Sequence, residues 1–247
     1  MKIEQTTTAT ITALQGRLES EVAQSKCLED AAQRLAAALY TQFEESVVIA
    51  RVFFTVPFDL LPQSTKDFVK KLAESAGAAS QLKPTTPVLS LLGTHGQQAE
   101  WNDRRRSKGH MGIPLISSSF VGTIPMIARL LKDLGVPLNW VDSHDSEILE
   151  NVMGSSSELF FVDNAAETTD HRGRKIIAAQ DFVSSYKVKS VFGAGGGYGD
   201  GRMLVMVVFC RGLFGRAVAE RFLPLADWFK STTSARFGTA TIFAEAA

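Results

Sequence analysis

Residues 182–210 read FVSSYKVKSVFGAGGGYGDGRMLVMVVFC, and their pattern decides the fold class. The first part alternates, with Tyr186, Val188 and Ser190 on one side and Lys187, Lys189 and Val191 on the other. A period of two belongs to a strand. GGGYGDG (195–201) supplies turn residues, and RMLVMVVFC (202–210) returns as a second strand. The spacing predicts an antiparallel hairpin. It does not predict a nucleotide loop: G-x-G-x-x-G fails in every frame, and a strand follows instead of a helix.

Working outward, residues 8–43 read as helix in two pieces. Ile11, Leu14, Leu18 and Val22 form one apolar stripe, and Leu28, Leu35 and Leu39 continue it. So narrow a stripe covers either the sheet of its own domain or a second copy of the chain. SVVIARVFFTVPF (46–58) is a buried strand. Ser64 and Asp67 open a helix that Gly77 stops, and VLSLLGT (88–94) is the next strand. Thr123 caps a helix with Pro125 in its first turn, closed by Gly135. A short helix over 146–154 and a strand over 159–165 follow. The last helix starts near Gly215 and kinks at Pro224. Helices interspersed with a hairpin predict an α+β fold with an antiparallel sheet.

The chain has 247 residues, with 26 basic and 26 acidic side chains. Neutrality argues against nucleic acid as a partner. The longest apolar run, MLVMVVFC (203–210), is far short of the roughly 20 residues of a membrane helix. The N-terminus lacks the apolar core of a secretory signal. Cys27 and Cys210 form no C-x-x-C pair and read as reduced thiols, which together favours a cytoplasmic protein.

Against this balance, EWNDRRRSKGHMGIP (100–114) stands out: within residues 101–110, Arg104, Arg105, Arg106 and Lys108 stand against one acid, Asp103. LSLLGT with this loop, VGTIPMIARLLKDLG, FFVDNA, and IIAAQDFVSSYKVKSVFGAGG with the returning strand together resemble the GAF-like input domain of bacterial signalling proteins. The resemblance spans about residues 28–230, leaving 1–27 as a helical extension and 231–247 as a tail. It implies a six-stranded antiparallel sheet with helices on one side and a small-molecule pocket on the other. It also implies a sensor that acts through a separate output protein, as a homodimer or with that partner. The Asn-Lys-Phe-Asp-Glu signature of cyclic-nucleotide GAF domains and a bilin-carrying cysteine loop are both missing, and no kinase or phosphatase module follows residue 230.

The ligand-binding candidates are Trp101, Asn102, Asp103, Arg104, Arg105, Arg106, His110 and, from the second basic patch DHRGRK (170–175), Arg172. Guanidinium groups suit a carboxylate or phosphate through forked hydrogen bonds, Trp101 would wall the pocket, and His110 would sit deeper. Two other readings stay open. The arginines can pair with acids elsewhere while Trp101 fills the core, or the loop can dock a partner without any ligand. His110 is also a candidate ligand to non-covalent haem, with Met111, His95, His144 or His171 beyond. VDSHDSE (141–147) could hold a divalent cation through Asp142, His144, Asp145 and Glu147, or could cap a helix. An enzyme using His110 on a small substrate is the remaining alternative; no nucleophile or metalloprotease motif supports it.

Overall fold

The computed structural model describes residues 1–107, 109–143, 156–198, 201–237 and 241–244. Six strands form one antiparallel sheet: β1 (Val47–Pro57), β2 (Pro87–Gly96), β3 (Gly112–Pro114), β4 (Glu158–Val162), β5 (Ser190–Gly197) and β6 (Met203–Cys210), in the order β3-β2-β1-β6-β5-β4. β1 and β6 lie at its centre. Their near-continuous apolar sequence follows from being buried on both faces. Along β6 the period is clean: Leu204, Met206 and Val208 enter one core, and Val205, Val207 and Phe209 the other.

The first core lies under α1 (Thr8–Ala23), α2 (Leu28–Gln42) and, from the far end of the chain, the helix Leu223–Ser234. The α1 stripe Ile11, Leu14, Leu18 and Val22 is at most 2% exposed, so it is consumed within its own chain. α2 sits directly on β2. A Cβ at Gly93 would fall 2.2 Å from the carbonyl oxygen of Ala32, so only glycine permits this approach. Phe237 and Ile242 join the same core from the C-terminal side.

The opposite face carries a second core instead of an empty pocket. Over it lie α4 (Ser118–Val121), α5 (Pro125–Asp133), α6 (Trp140–Ser143) and α7 (Gln180–Ser185), while α3 (Gln63–Ser75) packs beside β3. Both cysteines are buried and free.

Three local expectations are corrected. The alternating stretch before Ser190 is helix, not strand. β6 ends at Cys210, which pairs with Ser190, so residues 182–188 have no strand beside them there. They satisfy their backbone as α7, closed by Lys187 at φ 56° and by the Val188 N–H donating to Val183 O at 2.9 Å. Thr123 does not cap α5: its hydroxyl donates to Phe120 O at 2.7 Å, and Ile124 occupies the cap position. Pro224 starts a helix instead of kinking one. The C-terminal segment divides into α8 (Arg216–Glu220) and α9 (Leu223–Ser234), with the proline in the first turn of α9, where its missing N–H costs nothing. The helix expected over 146–154, along with His144, Asp145 and Glu147, lies outside the described residues, as does Lys108.

Candidate functional site

The basic loop is pinned to the domain at several points. Gln33 of α2 donates to the carbonyls of Thr94 (2.9 Å) and Asn102 (3.3 Å) and accepts from Thr94 N at 3.0 Å. The Asn102 side chain accepts from Gly96 N at 2.9 Å, turning the chain back on the end of β2. Trp101 stacks edgewise on Tyr186 (4.7 Å) and Phe182 (5.8 Å) of the α7 segment.

Arg104 is 4% exposed and gives a two-pronged ion pair to Glu29 of α2, Nε–Oε1 2.6 Å and Nη2–Oε2 3.0 Å. Glu29 Oε2 also accepts from Ala244 N at 3.0 Å, the Glu29 N–H donates to Ile242 O at 2.8 Å, and the Arg104 guanidinium lies 5.1 Å from the Phe243 ring centre. The pair therefore ties the loop to both α2 and the C-terminal residues. Arg105 is exposed and pairs with Asp103 at 3.0 Å; that hydrogen bond holds the Asp103 carboxyl below its ordinary range. Arg106 is exposed. Arg172 lies elsewhere, at the tip of the turn 169–174, whose backbone Asp170 organises by accepting from Arg172 N and Arg174 N. The eight candidates are thus dispersed, and Trp101 to Arg106 line neither the cavity beside His110 nor the groove that Arg172 lines.

His110 does line one. A cavity of about 50 Å³ lies between the sheet and α5, floored by Phe53, Leu89, Val207 and Phe209 and roofed by Ile127 and Leu130. Its charged wall is Arg51, in the middle of β1 opposite Thr94 and Val207. Arg51 Nε is buried and has no hydrogen-bond partner among the described residues, and Nη2 reaches Ser107 Oγ only at 3.4 Å. Gly109 covers the guanidinium: a Cβ there would stand 3.3 Å from Nη1. Burial pushes Arg51 down to about 10, so it remains a cation at neutral pH. His110 keeps an exposed edge; desolvation and then the Arg51 charge lower its pKa, leaving a neutral imidazole above pH 6.5.

The volume suits one or two waters or a small anionic group, and is far below that of a porphyrin, so haem does not fit behind His110 as the residues stand. Among the described residues no group of three or more metal-ligating side chains occurs, and Asp142 accepts from Ser118 N at 2.8 Å. No helix among them is long and apolar enough to cross a membrane. Arg51 was missed as a candidate although its signal is in the sequence. It is the one charge inside VVIARVFFTVP, two residues from Ile49 and from Phe53, hence on the same inward row.

No protein-family model matches the chain, and no curated protein matches it in sequence. Among solved structures it is similar to the phycocyanobilin-bound GAF domain from a cyanobacterial phytochrome, at 11% identity and a TM-score of 0.47 over 91% of this chain and 94% of that one. The phycoerythrobilin-bound GAF domain from a cyanobacterial phytochrome gives 11%, 0.45, 91% and 95%. The GAF domain from Acinetobacter phosphoenolpyruvate-protein phosphotransferase gives 13%, 0.43, 91% and 93%. The six antiparallel strands in the order β3-β2-β1-β6-β5-β4, with helices on the sheet, give the α+β fold and the six-stranded sheet that the resemblance to GAF-like domains implied.

Proposed function

We propose that the protein is a ligand-responsive regulatory domain whose ligand is a small carboxylate with an apolar body, held in the cavity between β1, β6 and α5. The observation that carries this reading is the orphaned Nε of Arg51. A buried donor without a partner costs about 1–3 kcal/mol, and a charged one more, so its retention on a central strand needs a compensating partner. A carboxylate supplies one through forked hydrogen bonds, while Leu89, Ile127, Leu130 and Phe209 receive the apolar part. Neutral His110 at the rim can add a donor.

Ligands larger than the present cavity must displace its rim at His110 or its roof at Ile127 and Leu130. The Arg51 wall touches Ser107 Oγ at 3.4 Å, and the Ser107 N–H donates to Arg104 O at 3.2 Å, which links the cavity to Glu29 and the C-terminal residues. Ligand binding would thereby alter the ends of the chain, where a second copy or a separate output protein would respond. A ligand shifts such an equilibrium only by its differential affinity for the two states.

The test is a thermal-shift screen of short aliphatic and aromatic monocarboxylates against the matching amides. Carboxylates should raise the unfolding midpoint, and amides and Arg51→Met protein should show no shift. Equal effects of acid and amide, or a shift that persists in the variant, would remove the guanidinium from the site. Native mass spectrometry of the same samples reports subunit number with and without ligand.

A further inference from the structure

A second and larger concavity lies on the other side of α5. An open groove of about 1170 Å³ runs between that helix and the turn 169–174, and it shares no lining residue with the Arg51 cavity. α5 divides the two. Ile127 and Leu130 face the sheet, while Ala128, Arg129 and Lys132 face the groove.

The charge balance of the groove is uneven. Four basic side chains line it (Arg129, Lys132, Arg172, Arg174) against two acids, Asp142 and Asp170. Both acids are engaged. Asp170 accepts from Arg172 N (2.8 Å), Arg174 N (2.9 Å) and Arg174 Nε (2.8 Å), and Asp142 accepts from Ser118 N (2.8 Å). Arg129 is answered by Asp133, at 2.9 Å to each carboxylate oxygen. Lys132 of α5 and Arg172 of the turn are exposed, and neither side chain has a hydrogen bond or ion pair among the described residues. In a neutral chain these two cations line one groove from different elements, and the exposed hydroxyls of Ser119 and Thr169 belong to the same lining. Apolar surface from Pro137, Leu138 and Ile176 completes the lining.

We infer that this groove binds a phosphate ester with a ring-bearing or apolar body. A guanidinium, an ammonium and hydroxyls lining one groove match the tetrahedral, multiply acceptor-bearing phosphate better than a planar carboxylate. The groove exceeds the roughly 300–1,000 Å³ of ordinary small-molecule pockets, so inorganic phosphate alone would leave most of it empty. The apolar part of the lining is where the rest of the ester would lie.

Isothermal titration calorimetry at low ionic strength, with phenyl phosphate, inorganic phosphate, citrate and a phosphoserine hexapeptide as probes, tests this. Phenyl phosphate should bind saturably and at least tenfold more tightly than inorganic phosphate. Arg172→Glu and Lys132→Glu should each weaken it tenfold or more, as expected for loss of one charge-assisted contact. Arg216→Glu, on exposed α8, should change it less than twofold, and Arg51→Met should leave it unchanged, which separates this site from the carboxylate cavity. Unfolding midpoints of the variants confirm that these surface changes leave the fold intact. Citrate binding as tightly as phenyl phosphate would reduce the groove to general charge attraction, and tighter binding of the phosphopeptide would make it a protein-docking surface. Absence of saturable heat with every probe, or affinity indifferent to both charge reversals, likewise overturns the inference.

Discussion

Replacing Arg51 by methionine should make the unliganded protein more stable, an unusual direction for a change in the middle of a central strand. The substitution removes a buried Nε–H that no described group accepts, and with it a charge that burial already disfavours. Relief of one unsatisfied donor is worth about 1–3 kcal/mol, and exchange of buried ions for apolar side chains of similar volume has comparable effects. Arg51 keeps partial solvent access, which puts the gain in the lower half, about 1–2 kcal/mol. Little is lost in return, because the Ser107 contact at 3.4 Å is near the limit of a hydrogen bond and the thioether packs against Phe209 and Leu89. In a chain of 247 residues each kcal/mol moves the unfolding midpoint by roughly 2–4 °C, so a rise of about 2–8 °C follows. Urea denaturation and calorimetry of both proteins measure it. With a carboxylate at one hundred times its dissociation constant the wild type gains about 2.7 kcal/mol, and the variant gains nothing, so the order of stabilities reverses. A variant less stable than wild type without ligand would mean that the guanidinium is already satisfied in the native state, and the case for a carboxylate would fail.

The buried ion pair predicts the opposite behaviour. Arg104→Ala leaves Glu29 charged, 16% exposed and short of its partner, which should cost about 2–4 kcal/mol and raise hydrogen exchange at the amides of Glu29, which donates to Ile242 O, and Ala244 well above that at α9. Gly93→Ala should cost about 3 kcal/mol or more by urea denaturation, because its Cβ meets the backbone of Ala32, not a side chain that could turn aside. His110 has a folded-state pKa below 6.5, so on falling pH the unfolded chain takes up the proton first and stability declines from about pH 6.5 downward. The drop in unfolding midpoint between pH 7.5 and pH 5 should therefore be smaller in His110→Gln than in wild type; an unchanged difference would show that His110 is not the group responsible.

Much of the architecture was written in short-range patterns. The stripe of α1, the apolar runs of β1 and β6 and the glycine-rich turn between β5 and β6 each report a periodicity or a backbone demand that neighbouring residues settle among themselves. The errors occurred where the local pattern was compatible with two structures. Residues 182–188 alternate well enough for a strand, and only the end of β6 at Cys210 denied them a partner. Pro224 permits either a kink or a new helix, and the packing of α8 and α9 on the sheet decided for the latter.

The site divides along the same line. Sequence alone determined that a concentrated positive loop follows β2 and that a single charge interrupts the apolar β1, since both are facts of composition along a strand. Tertiary structure alone decided what those charges meet. Arg104 finds Glu29, 75 residues earlier in the chain, Arg51 is left facing a cavity, and Lys132 and Arg172 come to line one groove. The physical reason is that a charge is satisfied or orphaned by whatever lies within a few ångströms, and for these side chains that neighbourhood is assembled from segments far apart in sequence.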